Sequence, residues 1–213
     1  MTFLFPLLLF VVLVACIGFL YPEGTWSNAI RLINVVTAGL VATNYWEPLA
    51  RMAESQIDAS LTFFWDFLGI WALFGVTLVI LQLITNKVSQ VRVRFLKIAD
   101  RVGSGLFAFA VGWVMVCFIT FSLHTAPLCR NFLFEGFKPG EANFFGVSPD
   151  TMWLSFAEHT SGGVFSTNPE TVVAGQRFID NYTHRREKVE DYRTSKKAFK
   201  VDPADYGTTV PKR

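Results

Sequence analysis

Residues 61–85, LTFFWDFLGIWALFGVTLVILQLIT, hold a single charged side chain, Asp66. A helix rising about 1.5 Å per residue needs roughly 20 apolar residues to cross a hydrocarbon core about 30 Å thick, and this stretch supplies them. It offers no polar face to turn toward water, so it does not read as a surface helix of a soluble domain. Working outward, 103–125 (GSGLFAFAVGWVMVCFITFSLHT) and 3–21 (FLFPLLLFVVLVACIGFLY) are uncharged throughout. A cleaved signal peptide is the competing reading of 3–21. It would need a basic leading region and a small-x-small cleavage site, which are missing, so a retained helix is expected. Pro6 falls in its first turn, where a missing N–H costs little.

Residues 29–46 (AIRLINVVTAGLVATNYW) are weaker, because Arg31, Asn34 and Asn44 dilute the run and it barely reaches spanning length. The expected fold is an all-α membrane protein: a bundle of about four transmembrane helices over 1–125, then a polar tail over 126–213 with short amphipathic helices. Composition agrees. The chain is 17% charged, against about 25% in ordinary soluble domains. Residues 1–125 hold 7 Lys/Arg and 6 Asp/Glu, whereas 126–213 hold 12 and 11, so the depletion belongs to the first part. A net charge of +2, with no basic run interleaved with aromatics, argues against nucleic acid as a partner. Cys16 and Cys117 lie inside apolar runs and Cys129 stands alone, which is no disulfide framework. Of Trp65, Trp71 and Trp113, only Trp65 is close enough to a span end to anchor at an interface.

Orientation follows from positive charge. Residues 86–102 carry Lys87, Arg92, Arg94, Lys97 and Arg101 against Asp100, whereas 47–60 carry Arg51 with Glu47, Glu54 and Asp58. Short basic loops stay in the cytoplasm, so 86–102 is expected inside and the tail outside a bacterial cytoplasmic membrane. Val91, Val93, Phe95, Leu96 and Ile98 interleave with the basic residues. That pattern fits a segment lying among anionic headgroups, or simply a topogenic loop.

Inside lipid, small residues mark the faces where helices approach closely. Ser104, Ala108 and Gly112 form one such stripe, Gly69, Ala72 and Gly75 a second, and Ala38 and Ala42 beside Gly39 a third. These faces fit a compact bundle or a homo-oligomer. Ionisable groups at membrane depth are functional candidates by default, and Arg31 and Asp66 are the two here. Each lies near the end of its span and can reach an interface, or else contribute to a polar path through the bilayer. In a four-span arrangement those ends face opposite sides, which argues against a direct pair. No span has a Gly/Pro-broken midsection, and no inverted repeat stands out.

In the tail, Ser148-Pro149-Asp150 opens a helix expected over 149–161, and Asn168-Pro169-Glu170 opens another over 169–195. Met152, Trp153 and Phe156 form a small apolar face that needs the bilayer, the bundle ends or a protein partner to cover it. From Tyr192 onward Lys, Asp, Pro and Thr dominate, and disorder is expected. No catalytic site is legible. His124, His159 and His184 share no metal-ligand spacing, and Glu158-His159 lacks the second histidine of a zincin helix. Gly103-Ser104-Gly105 lies inside a span, without the strand–turn–helix setting of a nucleophile elbow. Asn181-Tyr182-Thr183 fits a glycosylation triplet, a pattern common by chance. Neither metal nor cofactor is expected.

Two motifs are familiar in combination: Tyr45-Trp46-Glu47-Pro48-Leu49-Ala50 ending the second helix, and Asp100-Arg101-x-Gly103-Ser104-Gly105 opening the fourth. With the four-span layout they resemble the CvpA family, the colicin V production proteins of bacteria, over roughly residues 1–125. Departures are the absence of an acid in Phe3-Leu4-Phe5, only Arg31 standing for a basic residue ahead of the second helix, and a longer tail. Ser148-Pro149-Asp150 and Trp153-Leu154 resemble extended tails of planctomycete-type relatives. The resemblance implies a non-enzymatic bacterial inner-membrane protein tied to toxin export and envelope phenotypes, working through membrane or envelope protein partners. It supplies no catalytic residues. The alternative reading is a small channel or transporter subunit that uses Arg31 and Asp66.

Overall fold

The computed structural model describes residues 4–57, 59–89, 96–127, 137, 139–161, 175–196 and 200–202. Among them are six α-helices: α1 (Leu4–Leu20), α2 (Thr25–Gln56), α3 (Thr62–Val88), α4 (Lys97–Thr125), α5 (Pro149–Ser161) and α6 (Gly175–Lys196). A 3-10 turn at Tyr21–Glu23 joins α1 to α2, and among the described residues the extended pairing is one antiparallel bridge between Phe144 and Val147. Three helices, α1 with its 3-10 turn, α3 and α4, are long and apolar enough to cross a membrane. The chain is an all-α membrane protein.

α2 differs in kind. Its 32 residues reach about 48 Å, and it runs through Pro48 to Gln56, ten residues past the expected end at 46. It is more polar than α1, α3 and α4, and its polar residues have partners in the bundle. Asn34 Nδ2 donates to Thr85 Oγ1 at 2.9 Å, near the C-terminus of α3. At the other end of α3, Thr62 Oγ1 donates to Glu54. Between these points the Gly69 position lies against the Trp46 carbonyl and Ala50. α2 is thus antiparallel to α3 along its length, parallel to α4 (Asn28 beside Ser104, Gly39 near Phe118), and α1 runs antiparallel to α4.

The molecule has two ends. The basic end gathers the α1–α2 turn, the C-terminus of α3 and the N-terminus of α4. The tail-bearing end gathers the opposite termini together with α5 and α6. Buried Asn28, Asn34 and Thr43 each make a hydrogen bond, as polar groups in a core must.

The small-residue stripes divide. Ser104 and Ala108 are buried, and a Cβ at Gly112 would come within 2.9 Å of Leu13, so this stripe seats α1 and α2 on α4. On α3 Gly69 faces α2, but Ala72 is exposed and no atom lies within 4 Å of a Cβ at Gly75. The reason is helical phase. Steps of three residues fall about 60° short of a full turn, so Gly75 is rotated by roughly 120° from Gly69, whereas steps of four overshoot by only about 40°. The face of α3 that is buried carries Thr62, Phe63, Asp66, Gly69, Ile70 and Phe74.

The tail is not an appendage. Trp153 and Leu154 of α5 and Phe178 and Ile179 of α6 belong to the same apolar core as Ala38, Ile70, Phe74, Phe118 and Phe121. The disorder expected from Tyr192 is also corrected for 192–196 and 200–202, the described residues of that stretch. Tyr192 and Val201 are buried with Phe63 and Val189, and the Val201 N–H donates to the Ser60 carbonyl at 2.9 Å. Residues 203–213, like 169–174 at the expected start of the last helix, lie outside the described residues.

Candidate functional site at the tail-bearing end

Asp66 is fully buried one turn into α3, and α6 delivers its partners. Tyr182 Oη donates to Asp66 Oδ2 at 3.2 Å, and Arg185 Nη1 forms an ion pair with the same oxygen. Arg185 Nη2 donates to the Thr62 carbonyl at 2.7 Å, so one guanidinium bridges a carboxylate and a helix-end carbonyl. The guanidinium carbon stands 5.8 Å from the centre of the Phe63 ring and 5.7 Å from that of Tyr182, packing the charge between two aromatic faces. Tyr182 and Arg185 are three residues apart, hence on one face of α6. Beside them, Arg186 donates from Nη2 to the Leu123 carbonyl in the last turn of α4, at 3.3 Å. A cation at a helix C-terminus complements the unpaired carbonyls there.

A second buried pair lies one helix away. His124, in the last turn of α4, and Asp150, in the first turn of α5, meet through Nε2 and Oδ2 at 3.0 Å, with both side chains essentially inaccessible. The same Asp150 oxygen accepts the Gly140 N–H at 2.9 Å. α5 then lies across the bundle. Trp153 Nε1 donates to Thr43 Oγ1 at 3.0 Å, and Ser161 Oγ donates to Asn44 Oδ1 at 2.8 Å. Room for Trp153 exists because position 39 has no side chain: a Cβ there would stand 2.6 Å from Trp153 Cη2. Between Gly140 and α5 the chain makes a hairpin whose tip, Phe145 (φ 44°) and Gly146 (φ 89°), has both central residues at positive φ, the pattern of a type I′ turn. Reciprocal bonds of 3.0 and 2.8 Å between Phe144 and Val147 satisfy its backbone where Phe144 packs on Trp113 and Phe145 on Phe10. Non-helical backbone at that depth is tolerated only with its polar groups satisfied.

At the basic end the Asp100–Gly105 motif is a joint. Asp100 Oδ1 accepts the Thr25 N–H at 3.0 Å, capping α2 from another helix where Gly24 has no side chain to do so. Thr25 Oγ1 donates back to the Asp100 carbonyl at 2.8 Å, and a Cβ at Gly103 would stand 2.7 Å from that hydroxyl. Ser104 Oγ donates to the Tyr21 carbonyl at 2.6 Å and accepts from Asn28 Nδ2 at 3.0 Å.

The residues singled out from sequence therefore separate. Arg31 pairs with Glu23 at 3.1 Å at the basic end, and Asp66 is held at the tail-bearing end, so the two do not meet. Lys87, Lys97 and Arg101 are exposed at the basic end, and Arg92 and Arg94 lie outside the described residues. Met152, Trp153 and Phe156 do not share one open face: Trp153 is buried in the bundle, while Met152 and Phe156 are 46% and 45% exposed. Sequence reasoning missed Arg185, Tyr182 and the His124–Asp150 pair. A carboxylate at membrane depth does demand a cation, and the adjacent Arg185-Arg186 was the available signal.

Comparison with curated proteins and with solved structures returned no match. A family model described as Colicin V production protein matches residues 5–133, which takes in α1 to α4 and the Asp100 joint. That match spans more than half of the chain, and with three apolar helices of spanning length the protein belongs to the colicin V production protein family.

Proposed function

We propose that this chain is a non-enzymatic, four-span protein of a bacterial cytoplasmic membrane, whose tail forms an ordered extracytoplasmic cap through which it engages protein partners in secretion or envelope maintenance. The observation that carries this reading is the docking of α5 and α6 into the core of the bundle, with Met152 and Phe156 left exposed. A tail fixed by a buried ion pair presents a rigid surface, and rigidity lowers the entropy cost of binding a partner. α2 is counted as the fourth span because it runs beside α3 along its length. The cytoplasmic placing of the basic end rests on the excess of Lys and Arg there.

Single cysteines replacing Ser55, Lys87 and Glu158 in a Cys-free background test the topology with a membrane-impermeant thiol reagent. Labelling from outside at 55 and 158 but not at 87 is expected. Labelling at 87 alone would invert the arrangement. Photo-cross-linkers at Met152 and Phe156 in native membranes should yield adducts with another membrane or envelope protein. A chain that stays adduct-free, with silent tail deletions, would end the partner reading. The channel alternative requires polar continuity between Arg31 and Asp66. Between their levels the α2–α3–α4 interface holds Ala38, Ala42, Ile70, Phe74 and Phe118, which favours the scaffold reading.

A further inference from the structure

α3 and α4 meet near the tail-bearing end, where Trp71 and Phe74 pack on Phe118 and Trp71 Nε1 donates to Ser122 Oγ at 3.2 Å. Toward the basic end they enclose, with α2 and Leu20 at the end of α1, an open-sided cavity of about 330 Å³. Its walls are of two kinds. Leu78, Val111 and Met115 are apolar, and Arg31, Asn34 and Gln82 bring polar groups. Arg31 stands six residues into α2, about 9 Å along its axis, and Leu78 lies ten residues from the end of α3, about 15 Å, so the cavity occupies the depth of one leaflet. Lipid-facing side chains flank it: Val79 and Leu83 on α3 and Leu106 on α4 are all more than half exposed. The volume falls at the lower end of the range of ligand pockets, roughly 300–1,000 Å³.

From this geometry we infer that the cavity is a site for an anionic glycerophospholipid of the surrounding leaflet, with an acyl chain against Leu78, Val111 and Met115 and the headgroup phosphate on Arg31. Three features point to that occupant. The cavity opens where the neighbours are lipid tails, so its filling molecule arrives along the bilayer rather than from water. The cation lies on the headgroup side of the apolar wall, in the order in which a lipid presents phosphate and chain. Arg31 is matched by Glu23, and Lys87, Lys97 and Arg101 against Asp100 leave the described residues of that end net positive, which favours an anion over a zwitterion. Basic recesses between membrane helices are suited to anionic headgroups for this reason. The inference is independent of which side the basic end faces and of any partner at the tail.

Native mass spectrometry of the full chain, released from detergent micelles doped with phosphatidylglycerol or phosphatidylcholine of identical chains, tests it. One phosphatidylglycerol per chain should be retained about fivefold over phosphatidylcholine. Arg31→Gln should abolish that preference. Glu23→Gln, which frees the guanidinium, should keep or raise it, whereas a merely structural Arg31–Glu23 pair predicts the same loss from both variants. Leu78→Trp, which fills the cavity, should lower retention of both lipids. Equal retention of the two lipids by the unaltered chain, or full displacement by free glycerol phosphate, would overturn the proposal. So would preference for phosphatidylglycerol that survives Arg31→Gln.

Discussion

Burying a carboxylate in a membrane helix is tolerable only when a cation and hydrogen-bond donors meet it, and Asp66 has Arg185 and Tyr182 on one oxygen. Removing one member of a buried pair strands the other, so Arg185→Met should destabilise the protein by about 3–5 kcal/mol, read as a lowered thermal midpoint in detergent. Replacing both, with Asp66→Leu added, should recover much of that loss, since a pair of apolar groups leaves no uncompensated charge. Trp153 and Gly39 make a second residue-scale case. Gly39→Ala should cost about 1–3 kcal/mol through overpacking, and Trp153→Phe, which lacks the atoms that clash, should relieve part of it in the double variant. These contacts were not legible in the sequence. Asp66 announced itself as a charge in an apolar run, but its partner lies 119 positions away and nothing local connects them.

At the scale of elements, the apolar runs were legible because an uncharged run of bilayer length is a local property; α1 and α3 follow the expected stretches closely, while α4 begins six residues early, at Lys97. α5 likewise begins at Pro149 as its start signals required. α2 was harder to read. Its Asn28, Asn34 and Thr43 lower its hydropathy, and only the bundle reveals that each is paired. The stripe on α3 is split within the chain because spacing by three drifts around the helix, so Gly69 meets α2 and Gly75 does not. The Asp100 joint carries its own prediction. Asp100→Ala removes the cap on α2 and should cost about 0.5–2 kcal/mol, with Gly103→Val more damaging because Thr25 fills the space. Thermal unfolding in micelles, with hydrogen exchange over residues 25–30, should localise the loss to the start of α2.

For the molecule as a whole, the division into a greasy half and a polar half describes composition but not packing. The boundary near residue 125 runs through one core, since Trp153 and Phe178 share it with Phe118 and Phe121. Charge counts misled because they record composition alone, whereas the destination of the tail's apolar residues in the bundle is a long-range fact. A chain ending at residue 161, without α6, should therefore elute as a broadened or aggregated species in detergent chromatography, with a lowered midpoint. A separable tail predicts an unchanged one.

The Asp66–Arg185 pair also sets an order of events during biosynthesis. The ribosome completes α3 well before it reaches Arg185, and at roughly 5–20 residues per second the intervening 119 positions take about 6 to 24 seconds. Through that interval the nascent third helix must hold its carboxylate against lipid, water or the insertion machinery, without the guanidinium that later neutralises it. Maturation is thus gated by arrival of α6. A chain stalled or cleaved ahead of position 185 would display to quality-control proteases an unfinished acidic span.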